Sequence, residues 1–284
     1  SQPEFTRPVW EYLESATSAS RVRNGQAKLQ QEQDDLASIQ QQYGVEAAYL
    51  VAVWGMESSY GQFMGNQSVI RSLATLAYAG RRQQFARTQL LAALGILQHG
   101  DIAAQSMRGS WAGAMGQTQF IPTTYDSHAV DFDGDGRRDI WNSSGDALAS
   151  AAHYLQASGW QSGQPWGFEV QLSKDFDYAQ ADPDARHSVG EWQAMGVQSG
   201  FHGAQLADQP AALILPAGHR GPAFLVLNNF RAILKYNNST SYALAVGLLG
   251  DRLQGKGEIR ATWPMDEKPL SRTQRIELQD ALGA

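Results

Sequence analysis

The chain has 284 residues, 43% of them apolar, enough for a sizeable core in one large domain or two small ones. A formal charge of -6 with no run of Lys and Arg argues against the basic face of a nucleic-acid binder, and no apolar stretch reaches the roughly 18 residues that span a bilayer. Zero cysteines exclude a disulfide and a thiol nucleophile, and the N-terminus SQPEFTRPVW lacks the charged-then-apolar layout of a signal peptide, as expected of a soluble mature form.

Residues 9–43, rich in Gln, Glu, Ala and Leu with loose helical apolar spacing, predict a peripheral helix pair. From Val45 to Ser59 apolar residues surround the whole helix, the pattern of a buried core helix, and one acid, Glu57, stands near its end. Burial disfavours the ionised form of a carboxyl and raises its pKa, which turns a Glu into a proton donor at neutral pH. The bland alternative is a Glu near a helix C-terminus that reaches solvent or pairs with an Arg.

Helix is predicted again over Arg82–His99, with Phe85, Leu90, Leu91, Leu94 and Leu97. Next comes RGSWAGAMGQTQFIPTTYDSHA, residues 108–129, where small residues, amides and hydroxyls alternate with Trp111, Phe120 and Tyr125. Aromatic faces suit the C–H patches of a sugar, fixed amides and hydroxyls suit its rim, and Gly lets backbone come close. Taken alone, the segment also fits a Gly-rich loop packed on core helices.

DFDGDGRRD, residues 131–139, sets carboxylates at alternate positions with Gly at the sixth, the first half of an EF-hand loop. Asp131, Asp133 and Asp135 would give side-chain oxygens, Arg137 its backbone carbonyl, and Asp139 a direct or water-bridged contact. Asn142 stands at the twelfth position in place of the usual Glu, leaving Asp146 as the closing ligand of a longer loop. The alternative is an acidic solvated turn in which Asp146 only caps the helix predicted over Asp146–Ala157.

Between Gly163 and Leu227, short segments such as FEVQL and AALILPA separated by Gly, Pro and Asp predict a small strand-bearing insertion. Helix returns near Ser241–Leu253. The tail PLSRTQRIELQDALGA, from Pro269, is amphipathic through Leu270, Ile276, Leu278 and Leu282.

ESSYG with Glu57, GSWAGAMGQTQFIP from Gly109 to Pro122, the DFDGDG loop and KYNNSTSYALAV from Lys235 to Val246 occur in this order. Together they resemble the MltB-type lytic murein transglycosylases, a lysozyme-like family that cleaves peptidoglycan. The resemblance is tight over about residues 45–160 and 225–250. It implies a mainly α fold with a goose-type-lysozyme-like core, a peripheral helical subdomain and a small α+β insertion. The expected division is 1–44 peripheral helices joined by part of the C-terminus, 45–162 catalytic core, 163–225 insertion, 226–255 return to the core, and 256–284 a tail like the start of a peptidoglycan-binding module.

The resemblance gives Glu57 the role of sole catalytic acid/base. It implies sugar-facing roles for Ser110 and Gln119, and cleft roles for Arg81, Arg82, Tyr154, Tyr236, Asn237 and Tyr242, with Tyr12 and Phe85 as weaker counterparts of cleft aromatics. Tyr236 and Asn237 are expected to hold the Glu57 carboxyl. A structural Ca²⁺ is implied on Asp131, Asp133, Asp135, the Arg137 carbonyl and Asp146. The implied partners are peptidoglycan glycan strands, with other cell-wall enzymes as candidates, and the implied location is the periplasm of a Gram-negative bacterium, soluble or formerly lipid-anchored.

Ordinary glycosidases use two carboxylates, and the motifs offer no second one, since Asp101 and Asp126 read as capping or surface groups. A lytic transglycosylase needs one: Glu57 would protonate the β-1,4 oxygen between MurNAc and GlcNAc, then take the proton of the MurNAc C6 hydroxyl as it closes on C1 to give 1,6-anhydro-MurNAc. The rivals are a muramidase that admits water and a non-catalytic peptidoglycan-binding scaffold.

Overall fold

The computed structural model describes residues 7–199, 204–266 and 272–282. Three helices open it, α1 (Val9–Ala16), α2 (Ala19–Gln31) and α3 (Gln33–Tyr43), where the sequence predicted a pair. The extra break falls at Thr17–Ser18, where the Ser18 hydroxyl accepts from the Arg21 N–H and starts a new helix. Their inner faces, with Leu13, Val22, Leu36, Ile39 and Tyr43, join the main core.

At the centre of that core lies α4 (Ala47–Ser58), buried without interruption from Ala48 to Gly55. Its uniform apolarity follows from being enclosed by α2, by α8 (Ser144–Ala157) and by α11 (Thr240–Leu253). Gly250 of α11 lets Tyr49 of α4 come so close that a Cβ there would sit 2.2 Å from the tyrosine ring.

A second core forms around Met107, Met115, Phe120, Tyr125 and Trp141. It is roofed by α5 (Val69–Ala79) and α6 (Gln83–His99), with α7 (Pro122–His128) beside α6. The two-residue strands β1 (Gln67–Ser68) and β2 (Arg108–Gly109) pair antiparallel and tie this unit to the chain leaving α4. No helix was anticipated over α5, whose Val69 and Leu73 point into this core.

The insertion is a five-stranded antiparallel sheet. It is built from β3 (Gly167–Leu172), β4 (Arg186–Ser188), β5 (Val197–Gln198), β6 (Pro210–Ile214) and β7 (Ala223–Val226) in the order β4-β6-β7-β3-β5. FEVQL falls on β3 and AALILPA begins on β6. Ala212 and Ile214 of β6 enter the main core, while Ala211 and Leu213 face a third core that includes Trp192 of the short helix α9 (Val189–Ala194). Strand β6 is therefore buried on both faces, and β7 divides its side chains in the same way.

From β7 the chain passes directly into α10 (Asn228–Tyr236) and then α11. Helix α12 (Arg272–Leu282) exposes Ile276, Leu278 and Leu282; the tail residues Pro269 and Leu270 lie outside the described residues. Among the described residues no helix is long and apolar enough to cross a membrane.

Candidate active site

Glu57 lies in the last turn of α4, where the main and second cores meet. Two residues of the same turn fasten the helix end to the Gly-rich loop. Ser58 donates its hydroxyl to the Gln117 carbonyl (2.8 Å) and accepts the Gly61 N–H, while Trp54 donates its indole N–H to Gln117 Oε1 (2.9 Å). Gln117 Nε2 in turn donates to the Trp141 carbonyl. Among the described residues the left-handed non-glycine backbone is confined to Ser59, Tyr60 and Gln119, all beside this junction, which is where strained backbone tends to gather in functional sites.

Three phenols surround the acid. Tyr242, near the start of α11, donates its hydroxyl to Glu57 Oε2 in a short hydrogen bond. Tyr236 and Tyr12 lie close enough that the Glu57 charge raises their pKa, although burial is the larger cause for each, as it is for Tyr242. All three therefore stay protonated as neutral hydrogen-bond donors. The Tyr236 hydroxyl is committed to the Thr118 carbonyl (2.7 Å).

Glu57 keeps partial contact with solvent, as a group that meets a substrate requires. Enough of it is withdrawn from water to push its pKa up to about 7, against the opposing pull of the Tyr242 hydrogen bond. Among the described residues no second carboxylate and no cation makes a hydrogen bond or ion pair with it; the Arg21 guanidinium, bonded to the Gly55 carbonyl two residues earlier, is not paired with the acid. Asp101, expected as a capping or surface group, is buried and held by the Arg138 N–H (2.9 Å) and guanidinium, with His99 alongside. Asp126 is exposed.

The expectation that Tyr236 and Asn237 hold the carboxyl is corrected: Tyr242 does so. Asn237 follows the last residue of α10 in extended backbone, its side chain exposed, and the Tyr236 hydroxyl is spent elsewhere. Tyr236 instead packs edge-on against Tyr154 (ring centroids 5.3 Å apart), whose hydroxyl donates to the Lys235 carbonyl. These rings wall the site on the α8 and α10 side.

Ser110 has an informative bonding pattern. Its Oγ accepts the N–H groups of Ala112 (3.3 Å) and Ala114 (3.0 Å), so its own proton is left to donate away from the loop. Gln119 donates its amide to the carbonyls of Met64 and Gly116, and its Oε1 accepts no hydrogen bond among the described residues. Arg81 and Arg82 sit exposed at the turn between α5 and α6, with the Arg82 guanidinium 4.1 Å from the Phe85 ring centroid. Among the described residues no hydrogen bond or ion pair joins Arg81, Arg82 or Phe85 to the group around Glu57.

The acidic loop forms a second constellation. One carboxylate oxygen each from Asp131, Asp133, Asp135 and Asp146 lie within 4.8 Å of one another. A set of four hard oxygen donors suits a hard divalent cation. Asp146 is fully buried and accepts the N–H groups of Phe132 (2.8 Å) and Asp139 (2.8 Å), which pins the loop to α8. It is not the helix cap: Ser143 takes that place by accepting the Asp146 N–H. Asp139 points its carboxylate back at the Trp141 and Asn142 N–H groups, and the Arg137 carbonyl accepts no backbone hydrogen bond among the described residues.

The profile of the transglycosylase SLT domain matches residues 1–251. The chain is 32% identical over 267 residues to membrane-bound lytic murein transglycosylase B of Escherichia coli K12, covering 87% of this chain and 68% of that protein. Among solved structures, SltB3 of Pseudomonas aeruginosa in complex with NAG-anhNAM-pentapeptide superposes with a TM-score of 0.98 at 64% identity, covering 100% of this chain and 76% of that one. The Escherichia coli lytic transglycosylase Slt35 in complex with calcium superposes at 0.79 with 30% identity, covering 89% and 80%.

Proposed function

The chain belongs to the transglycosylase SLT domain family, is mainly α with a lysozyme-like fold, and is a lytic transglycosylase of peptidoglycan; on that premise we propose that Glu57 alone carries both proton transfers. The observation that carries this reading is a single carboxyl, pushed up to about 7, bonded by one phenol and faced by no other carboxylate among the described residues.

With a pKa near neutrality, Glu57 is available as an acid and, once spent, as a base. Its proton passes to the glycosidic oxygen as the C1–O bond of MurNAc breaks and positive charge builds on the ring. The carboxylate, steadied by Tyr242, then takes the proton of the C6 hydroxyl, whose oxygen bonds C1. Ring closure regenerates Glu57–H and gives 1,6-anhydro-MurNAc without consuming water. Intramolecular attack has an effective molarity that can exceed roughly 10⁵ M, which favours closure over hydrolysis. The outward-directed Ser110 proton suits the N-acetyl carbonyl of the reacting sugar, and the Gln119 Oε1 suits a sugar hydroxyl.

The four-aspartate cluster is assigned to calcium in an EF-hand-like loop, with Asp131, Asp133, Asp135, Asp146 and the Arg137 carbonyl as ligands. The ion would neutralise the crowded carboxylates and hold the loop to α8, away from the chemistry. On this reading the enzyme works on glycan strands in the periplasm of a Gram-negative bacterium, which the likeness to the Escherichia coli protein supports.

Muropeptides released from purified sacculi by wild type and by Glu57→Gln test the reading by mass. Products lighter by one water than hydrolytic ones, made by wild type and reduced at least about 10³-fold in Glu57→Gln, are expected. Full turnover by Glu57→Gln would refute it, and reducing ends would mark a muramidase.

A further inference from the structure

Of the eight tryptophans, Trp111 alone stands in open solvent, 71% exposed, and folding makes little use of it. Among the described residues its indole makes no hydrogen bond and no ring contact. It is nevertheless held on a rigid support. The loop beneath is closed by the two bonds into Ser110 Oγ, by Ser110 N–H to the Ala114 carbonyl (2.8 Å) and by Gly113 N–H to the Ser110 carbonyl. Gly113 takes a left-handed φ of 88° where a Cβ would lie 2.6 Å from Leu73, so the turn packs closely on α5 and admits no side chain there.

A second solvent-facing ring lies nearby. Phe63 is 72% exposed on the loop that leaves α4, and that loop touches the first one: a Cβ on Gly65 would sit 2.3 Å from the Gly109 carbonyl and 3.0 Å from the Ser110 nitrogen. The Gln119 amide adds a bond to the Met64 carbonyl. Both rings are thus carried on one joined rim, immediately outside Ser110. Residues 58–70 and 109–125, which build most of that rim, contain no charged side chain, and Arg108 borders it with its guanidinium donating to the Asn66 carbonyl.

We infer that Trp111, with Phe63 beside it, is the docking face for a pyranose ring of the glycan strand outside the sugar that reacts. Its role is to couple turnover to strand length. The inference rests on the glycan reading of the site. Neutral aromatic faces with amides alongside, here Gln62 and Asn66, fit the C–H face and hydroxyl edge of N-acetylglucosamine. With the backbone beneath it fixed before binding, only the side-chain torsions of the indole have to be ordered when the sugar arrives, so more of its contact energy is retained as affinity.

The first test is binding of long and short chitooligosaccharides by calorimetry, in a Glu57→Gln background, with and without Trp111→Ala. Loss of at least about tenfold in affinity for the long oligomer, a smaller loss for the short one, and recovery in Trp111→Phe are expected. In active enzyme, Trp111→Ala should raise KM on long uncross-linked strands more than it lowers kcat, with unchanged Tm. Equal affinity with and without the indole, a loss independent of oligomer length, or a lowered Tm in Trp111→Ala would overturn the inference. Because binding is read without turnover, failure of the single-acid mechanism would show as activity in Glu57→Gln and leave this result legible.

Discussion

The protein treats carboxylates in two opposite ways. At the end of α4 one acid is drawn out of water among phenols, with no ion pair among the described residues, and burial pushes its pKa up to about 7. Along the 131–146 loop four acids are crowded to within 4.8 Å, three of them near the surface and one buried, each receiving backbone N–H groups. Isolation makes a proton donor, whereas crowding makes an anionic cage that asks for a cation. Residue type is the same in both; solvation and company decide the chemistry.

The sharpest way to break the contrast is to remove the isolated charge and follow stability with pH. The folded-state pKa of Glu57 is raised above its ordinary 4.5, so between about 4.5 and 7 the folded chain holds a proton that the unfolded chain has released. Wild type therefore loses stability relative to Glu57→Gln as pH rises through that window, by up to about 3 kcal/mol above it. Denaturation at pH 4 and pH 8 should show near-equal proteins at the lower pH and a more stable variant at the higher. A constant difference would mean the acid is not buried in the way described.

At the other site the cation is the variable. Free calcium at about 100 times its Kd should stabilise the fold by about 2.7 kcal/mol, read as a rise in Tm that a chelator reverses. The double variant Asp133→Asn, Asp135→Asn should lose that response. In chelator it should be no less stable than wild type, because like-charge repulsion is relieved.

The smallest effect sharpens the role of the phenol. The Tyr242 hydrogen bond lowers the Glu57 pKa against burial, so Tyr242→Phe should move the alkaline limb of kcat/KM, set by loss of the Glu57 proton near 7 in wild type, to higher pH. A limb that stays in place would detach Tyr242 from the acid.

Much of this was legible in the chain because it is local. The all-round apolarity of residues 45–59 marks an enclosed helix, and the alternating aspartates announce their convergence without any fold. What escaped is what depends on distant partners. Which hydroxyl reaches Glu57 is decided by the packing of α11 on α4 across 185 residues of sequence, and the choice fell on Tyr242. Helix α10 escaped because β7 runs straight into it through Leu227, with no Gly or Pro to mark the change and no side-chain cap. Strand β7, buried on both faces, shows no alternation to read. Gln117 and Ser58 sat inside recognised motifs, yet nothing in their spacing says that one amide would receive the Trp54 indole and reach the Trp141 carbonyl together.

That amide has a consequence for how this enzyme can be altered. Since Gln117 is bonded to residues on both sides of Glu57, the acid and the Gly-rich loop form one mechanical part and cannot be tuned separately. Variation in what the enzyme accepts has to be introduced at its edges, on the exposed rings and turns, while the floor is inherited whole.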